Sequence, residues 1–249
     1  MPPSAGSIVA FLNLGARPSG QTDGRGGPAR AGCLGMSAPD PWPLRGLVLR
    51  TPRLELRPDD DEGLRELVEV AYAGVHPPEQ MPFLNAWTDV DPREQGREML
   101  QYFWSKRAGM RPDSWSVHFL VRHEGRVLGV QALIGHDFGV LRTVSSGSWL
   151  GLVHQGRGFG SEMRAAVLQL AFDHLGAVEA LSGAFVDNPA SLRVSEKLGY
   201  RRDGVRRHVR RGEPATEVVL RMTAEEFVRP DWVVAVEGLD GCRGLLGAG

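Results

Sequence analysis

The residues of this 249-residue chain best suited to chemistry lie in one turn: Gln155, Gly156, Arg157, Gly158, Phe159, Gly160 and Ser161. Three glycines at alternate positions remove the side chains that would hold a ligand away from the main chain. Ser148-Trp149-Leu150-Gly151-Leu152-Val153 before the turn suits a strand. Met163, Ala166, Val167 and Leu170 behind it have helical spacing. Backbone N–H groups would then converge where a helix N-terminus carries partial positive charge, an anion site suited to a pyrophosphate. The turn is neither the dinucleotide fingerprint nor a P-loop, because its glycines fall at every second position and no Lys-Ser/Thr follows. Taken alone, it reads more readily as a tight turn with no ligand. About thirty residues on, Asn188 reads as an N-cap, Pro189 as the first helical residue and Gly199 as the C-terminal stop.

The elements around these residues follow from pattern. Residues 1–45, rich in Gly, Pro, Ser and Ala, lack periodicity and are expected to be disordered, with Met36 a candidate start. A first strand is expected over Leu47–Arg57, then acid at a helix start (Asp59, Asp60, Asp61) and Leu64, Leu67, Val68 and Ala71 at helical spacing. Prolines 77, 78 and 82 keep the next stretch irregular, although Met81, Phe83, Leu84 and Trp87 must pack somewhere. Asp91-Pro92 opens a second helix, and Glu124-Gly125 joins two strands as a hairpin. Arg201, Arg202, Arg206, Arg207, Arg210 and Arg211 form a basic ribbon around a further strand: a solvated face, or a site for a phosphate, an acidic acceptor or RNA. The sum is an α/β sandwich, one mixed central sheet of about seven strands flanked by about four helices. The domain is expected over residues 46–228, with a tail over 229–249 that adds a strand or covers a neighbour.

Composition narrows the function. A formal net charge of -1 gives no global pull toward nucleic acid or membranes. No apolar run approaches the ~20 residues that span a bilayer, and no secretory signal is legible. The two cysteines, Cys33 and Cys242, suggest neither a disulfide framework nor a metal site. A soluble cytoplasmic protein without a metal is expected. The sequence leaves a homo-oligomer open.

The turn resembles the Arg/Gln-x-x-Gly-x-Gly/Ala motif of the GCN5-related N-acyltransferases (GNAT), with Gln155, Gly158 and Gly160 at its fixed positions. The segments Asp187–Ser191 and Glu196-Lys197-Leu198-Gly199-Tyr200 are similar to that family's second signature. Thr51-Pro52-Arg53-Leu54-Glu55-Leu56-Arg57 resembles the opening strand of its ribosomal-protein acyltransferase branch. The stretch Gly147–Leu152, with His76 and Asp137-Phe138, resembles an actinobacterial branch that includes a succinyltransferase. The resemblance implies direct transfer of an acetyl or succinyl group from acyl-CoA to a primary amine, on a small molecule or a protein. The pantetheine arm would bind as an added strand between two splayed core strands, held by the main chain of Leu150 and Leu152. The turn 155–161 would hold the pyrophosphate, Asn188 and Ser191 would add coenzyme contacts, and His76, Met81, Phe83 and Trp87 would border the acceptor.

The chain departs from the family at the proton-transfer positions. Ser145 stands where many relatives carry a Glu base, leaving Asp137 and His136 as candidates. Ser195 stands where many carry a Tyr acid. Glu162 is expected to complement the helix dipole. A second reading therefore stays open: an acyl-CoA-binding module that keeps the fold and transfers weakly. A Rossmann oxidoreductase lacks its final glycine, and an RNA-binding reading lacks interleaved aromatics.

Overall fold

The computed structural model describes residues 40–249. Met36, Cys33 and most of the segment expected to be disordered lie outside the described residues. Within them, Pro43–Gly46 forms a 3-10 turn that buries Leu44.

Nine strands form one sheet: β1 (Val48–Arg50), β2 (Glu55–Pro58), β3 (Ser114–His123), β4 (Arg126–His136), β5 (Thr143–Leu150), β6 (Glu179–Phe185), β7 (Arg201–Arg210), β8 (Glu213–Thr223) and β9 (Ala235–Glu237). Their spatial order is β7-β8-β6-β5-β4-β3-β2-β1-β9. Every neighbouring pair is antiparallel except β5–β6. Among the described residues, five helices accompany it: α1 (Asp61–Tyr72), α2 (Pro92–Ala108), the single turn α3 (Phe138–Leu141), α4 (Phe159–Gln169) and α5 (Pro189–Lys197).

Two strands beyond the expected seven have physical causes. The segment expected to be one strand over 47–57 is a hairpin. Thr51 and Leu54 close it, with Thr51 N–H on the Leu54 carbonyl at 2.9 Å and Leu54 N–H on Thr51 Oγ1 at 2.9 Å. Pro52 inside that turn cannot donate to a ladder. The tail supplies the other, because burial of Val234, Leu239, Cys242 and Leu246 draws Ala235–Glu237 alongside β1.

The two faces of the sheet are covered differently. Leu64, Leu67, Val68 and Ala71 of α1 and Met99, Tyr102 and Phe103 of α2 pack with Val127, Val130, Ala132 and Trp149. The other face buries α4 with Leu192 and Leu198 from the α5 segment, against Leu128, Leu133, Leu150, Ala184 and Leu220. Helix starts follow capping chemistry. The Asp60 carboxylate accepts from Gly63 N–H at 2.7 Å, and Asp91 accepts from Arg93 N–H at 2.9 Å ahead of Pro92. A parallel pair needs a crossover, and α4 with the π-helical turn Leu170–His174 is that connection.

Candidate active site

The one parallel pairing is short, and that makes a cleft. β5 and β6 are in register only at Thr143–Glu179, Val144–Ala180 and Ser145–Leu181. Beyond these, β5 continues to Leu150 on β4, and β6 continues to Phe185 on β8. The two strands therefore part between Ser146–Leu150 and Ser182–Phe185. Gly151 N–H bonds the Leu128 carbonyl at 2.9 Å, while the Ser146 carbonyl accepts from Ser182 Oγ at 3.4 Å. Strand alternation then turns the main-chain groups of Ser148 and the N–H of Leu150 into the gap. These are unpaired sheet positions in the core, ready for an extended ligand.

Leu150 and Leu152 fare differently. The Leu150 carbonyl accepts from Gln155 Nε2 at 2.9 Å, leaving its N–H to the gap. Leu152 begins a 3-10 turn, and its N–H is taken by the Gly74 carbonyl at 2.9 Å. The Gln155 amide also donates to the Val75 carbonyl at 2.7 Å, so this side chain braces the turn from within.

The glycine turn stands at the open end of the gap. Gly156 and Gly158 have φ of +72° and +84°, which side chains resist. Gly158 is the N-cap of α4 and offers no capping side chain. The helix ladder starts with Glu162 N–H on the Gly158 carbonyl at 3.2 Å, so Phe159, Gly160 and Ser161 present N–H groups without intrahelical partners. Arg53, ion-paired with Glu162 at 2.6 Å, adds guanidinium N–H donors at this spot. Its guanidinium donates to the Arg157 carbonyl at 3.1 Å and lies 4.7 Å from the Phe159 ring centroid. Glu162 does more than face the helix dipole: it is buried and accepts from Thr51 Oγ1 at 2.6 Å, Arg53 N–H at 3.0 Å and Arg53 Nε at 2.7 Å. That stitch fixes the β1–β2 hairpin to the turn, and the local sequence signalled neither partner.

Below the gap, Asn188 caps α5 by accepting from Ser191 N–H at 3.1 Å. Ser195 is fully buried, donates to the Ser191 carbonyl at 3.0 Å and accepts from Arg164 at 2.8 Å. Arg164 also donates to Ser148 Oγ at 3.2 Å. This arginine escaped the sequence reading, although its signal was present: a cation inside the apolar run Met163–Leu168.

On the opposite face, the loop expected to border the acceptor packs over β5. Phe83 lies 5.2 Å from Trp87, and Trp87 lies 5.5 Å from Trp149, ring centroid to centroid. Met81, Phe83 and Trp87 are buried, so their side chains serve as packing. His76 is held at both nitrogens, Nδ1 on the Pro77 carbonyl at 2.8 Å and Nε2 on Thr88 Oγ1 at 2.7 Å. A carbonyl only accepts, so Nδ1 carries the proton.

The arginine ribbon is largely spent on ion pairs. Arg210 pairs with Asp187, donates to the Met81 carbonyl at 2.6 Å and lies 4.2 Å from the Phe185 ring centroid. Arg211 pairs with Asp89 at 2.6 Å and donates to the Pro78 carbonyl at 3.2 Å. Two residues of the β7–β8 hairpin thus clamp the acceptor-side loop. Arg201 and Arg202 pair with Glu226 and Glu196.

Asp137 is not brought to this assembly. β4 pairs Gly135 with Val144, so Asp137 lies past the closed end of the β5–β6 pairing. Four residue steps along the strand direction separate that level from Ser146, roughly 13 Å at ~3.3 Å per residue. A different pair stands beside the gap. Glu217, fully buried on β8 next to Phe185 of β6, meets His208 Nε2 at 2.7 Å. Among the described residues, no group of three or more His, Cys, Asp and Glu side chains could hold a metal ion. No helix among them is long and apolar enough to cross a membrane.

Known proteins share this arrangement. Residues 53–201, more than half of the chain, match the model of the acetyltransferase (GNAT) domain. The chain is 31% identical over 84 residues to the probable N-acetyltransferase YjcK of Bacillus subtilis (strain 168), a match covering 34% of this chain and 46% of that protein. It thus spans about half the length of that relative. Among solved structures it is similar to Mycobacterium smegmatis RimJ in complex with CoA-disulfide, with TM-score 0.62 and 19% identity over 80% of this chain and 94% of that one. It is also similar to apo RimL, a ribosomal L7/L12 alpha-N-protein acetyltransferase, with TM-score 0.54 and 15% identity over 70% and 91% of the two chains. At these identities the solved structures speak to fold, and the domain match speaks to descent: the chain belongs to the GNAT acetyltransferase family.

Proposed function

We propose that this protein transfers an acetyl or succinyl group from acyl-CoA to a primary amine, on a small molecule or a protein, within a ternary complex. The observation that carries this reading is the parting of β5 and β6 at Ser146 and Ser182, with the glycine turn at its open end. The pantetheine arm lies along Ser146–Leu150, and its amides use the free groups of Ser148 and Leu150. The pyrophosphate sits on the N–H groups of Phe159, Gly160 and Ser161, with Arg53 beside it. The amine approaches from the face of Trp149, Phe83 and Trp87.

The amine nitrogen attacks the thioester carbonyl carbon, and a strand N–H stabilises the oxyanion. The C–S bond then breaks with its electron pair on sulfur, and the ammonium proton leaves through the His208–Glu217 pair or water. Positioning supplies much of the rate. The second reading, a donor-binding module with little turnover, is favoured by one observation: the Ser195 proton is directed at the Ser191 carbonyl.

Calorimetry with acetyl-CoA, succinyl-CoA and CoA, coupled to mass spectrometry of amines incubated with donor and protein, separates the readings. Binding with acylated amine supports transfer, and binding without product supports the module. No binding of any of the three overturns both.

A further inference from the structure

Arg164 is an unusual cation. It is 5% exposed, on a helix whose surroundings are Met163, Ala165, Ala166, Val167 and Leu168, all buried. Its hydrogen-bond partners are the hydroxyls of Ser195 and Ser148, both neutral. Its Nε is buried without a hydrogen-bond partner. Among the described residues no carboxylate forms an ion pair with it; burial depresses its ionisation, with the nearby Tyr200 hydroxyl acting in the opposite sense. A buried guanidinium lacking an anion carries a desolvation penalty that two hydroxyl groups offset only in part. Well-packed apolar side chains often replace buried ions without loss of stability. Fold stability therefore does not account for an arginine here, and an anion present only in the working state does.

The position says which anion. Arg164 reaches from α4 to Ser148, within the stretch of β5 that β6 abandons, and to Ser195 of α5 beneath it. Two negative charges form in that gap during acyl transfer: the oxyanion, which a strand N–H stabilises, and then the departing thiolate, which has no other cation assigned to it. We propose that Arg164 is the receptor for the CoA thiolate, taking the charge as the C–S bond breaks and its electron pair passes to sulfur. Ser195 positions the guanidinium by accepting a hydrogen bond from it, and no acid of tyrosine strength is needed. This inference rests on the gap being the donor site.

The test compares wild type with Arg164→Met and Arg164→Lys. The ionisation of bound CoA is followed by the ultraviolet difference between CoA and desulfo-CoA over a pH series. A nearby cation favours the thiolate, so the bound thiol ionises at least ~1 pH unit lower in wild type and Arg164→Lys than in Arg164→Met. Turnover of Arg164→Met falls ~100-fold or more, as for loss of a charge-stabilising donor, while its melting temperature without ligand stays at or above that of wild type. Equal thiol ionisation in folded, CoA-binding proteins overturns the inference alone. Loss of succinyl-CoA affinity with unchanged thiol ionisation also overturns it, and makes Arg164 a receptor for the acyl carboxylate. A melting temperature well below wild type assigns the guanidinium to the fold. Failure of wild type to bind CoA at all overturns the donor-site reading and this inference with it.

Discussion

Gly158 and Gly160 sit two residues apart in one turn, yet the structure assigns opposite signs to the same substitution. Gly158 has φ of +84°, and a Cβ there lies 3.2 Å from Arg53 Nη2. The arginine tip is flexible and can give, but the left-handed backbone costs an alanine about 1–2 kcal/mol. At ~2–4 °C per kcal/mol for a chain of this size, Gly158→Ala melts about 2–8 °C lower. Gly160 is inside α4, and a Cβ there meets Val194 Cγ2 at 3.9 Å, an ordinary contact. Alanine is up to ~1 kcal/mol better than glycine in a helix, so Gly160→Ala melts higher, by up to about 2–4 °C. Ligand binding separates the two again. A methyl at 158 displaces Arg53 from the turn and removes about one hydrogen bond, ~1 kcal/mol or roughly fivefold in CoA affinity. A methyl at 160 leaves every N–H in place, and affinity stays close to wild type. Scanning calorimetry of the apo proteins and titration calorimetry with CoA read both effects. Melting shifts of the same sign in the two variants, or Gly158→Ala binding CoA as wild type does, would refute the reasoning.

Three further outcomes are expected. Arg210→Ala breaks the link between Asp187 and the Met81 carbonyl of the acceptor-side loop, so the Michaelis constant for the amine rises while calorimetric donor affinity holds. Hydrogen bonds to charged groups are worth about 1.5–3 kcal/mol, and equal losses for both substrates would count against the clamp. Glu217→Gln leaves His208 without its carboxylate. If this pair accepts the ammonium proton, turnover falls ~100-fold or more; unchanged turnover in the folded variant removes the pair from proton transfer. Burial pushes the Asp59 carboxyl up to about 7 against the pull of Arg107. The folded state then holds a proton that the unfolded chain has released, so this group subtracts stability as pH rises from about 4 to about 7. Asp59→Asn removes that slope, and its advantage over wild type grows across the same window, on the order of 4 kcal/mol. Parallel stability–pH curves would contradict the assignment.

What could be read from sequence was local chemistry. The glycine turn needs positive φ at Gly156 and Gly158, and Asn188, Asp91 and Pro92 announce helix starts through bonds spanning only a few residues. The fold class followed from the order of such elements. Resemblance located the gap, which no single residue encodes, because it arises where the β5–β6 register ends. Contacts across the chain were not legible. Arg210 meets Met81 across 129 residues, and Thr51 meets Glu162 across 111. The ribbon of arginines read as a surface feature because its carboxylate partners, Asp187, Asp89, Glu226 and Glu196, lie on other elements. Pro52 was visible, but only tertiary pairing shows that it sits in a hairpin turn. The reading of Asp137 as proton acceptor had no such anchor, since its distance from the gap depends on the β4–β5 register.

The most direct measurement is hydrogen–deuterium exchange of the apo protein and its acetyl-CoA complex, resolved to single amides along β5. An arm bound as an added strand slows exchange at Ser148 and Leu150, whose N–H groups face the gap. Gly147 and Trp149, already paired with β4, change little, while Gly160 and Ser161 gain protection from the pyrophosphate. Saturating donor, verified by calorimetry, without protection at Ser148 and Leu150 would place the coenzyme elsewhere and contradict the assignment of the gap.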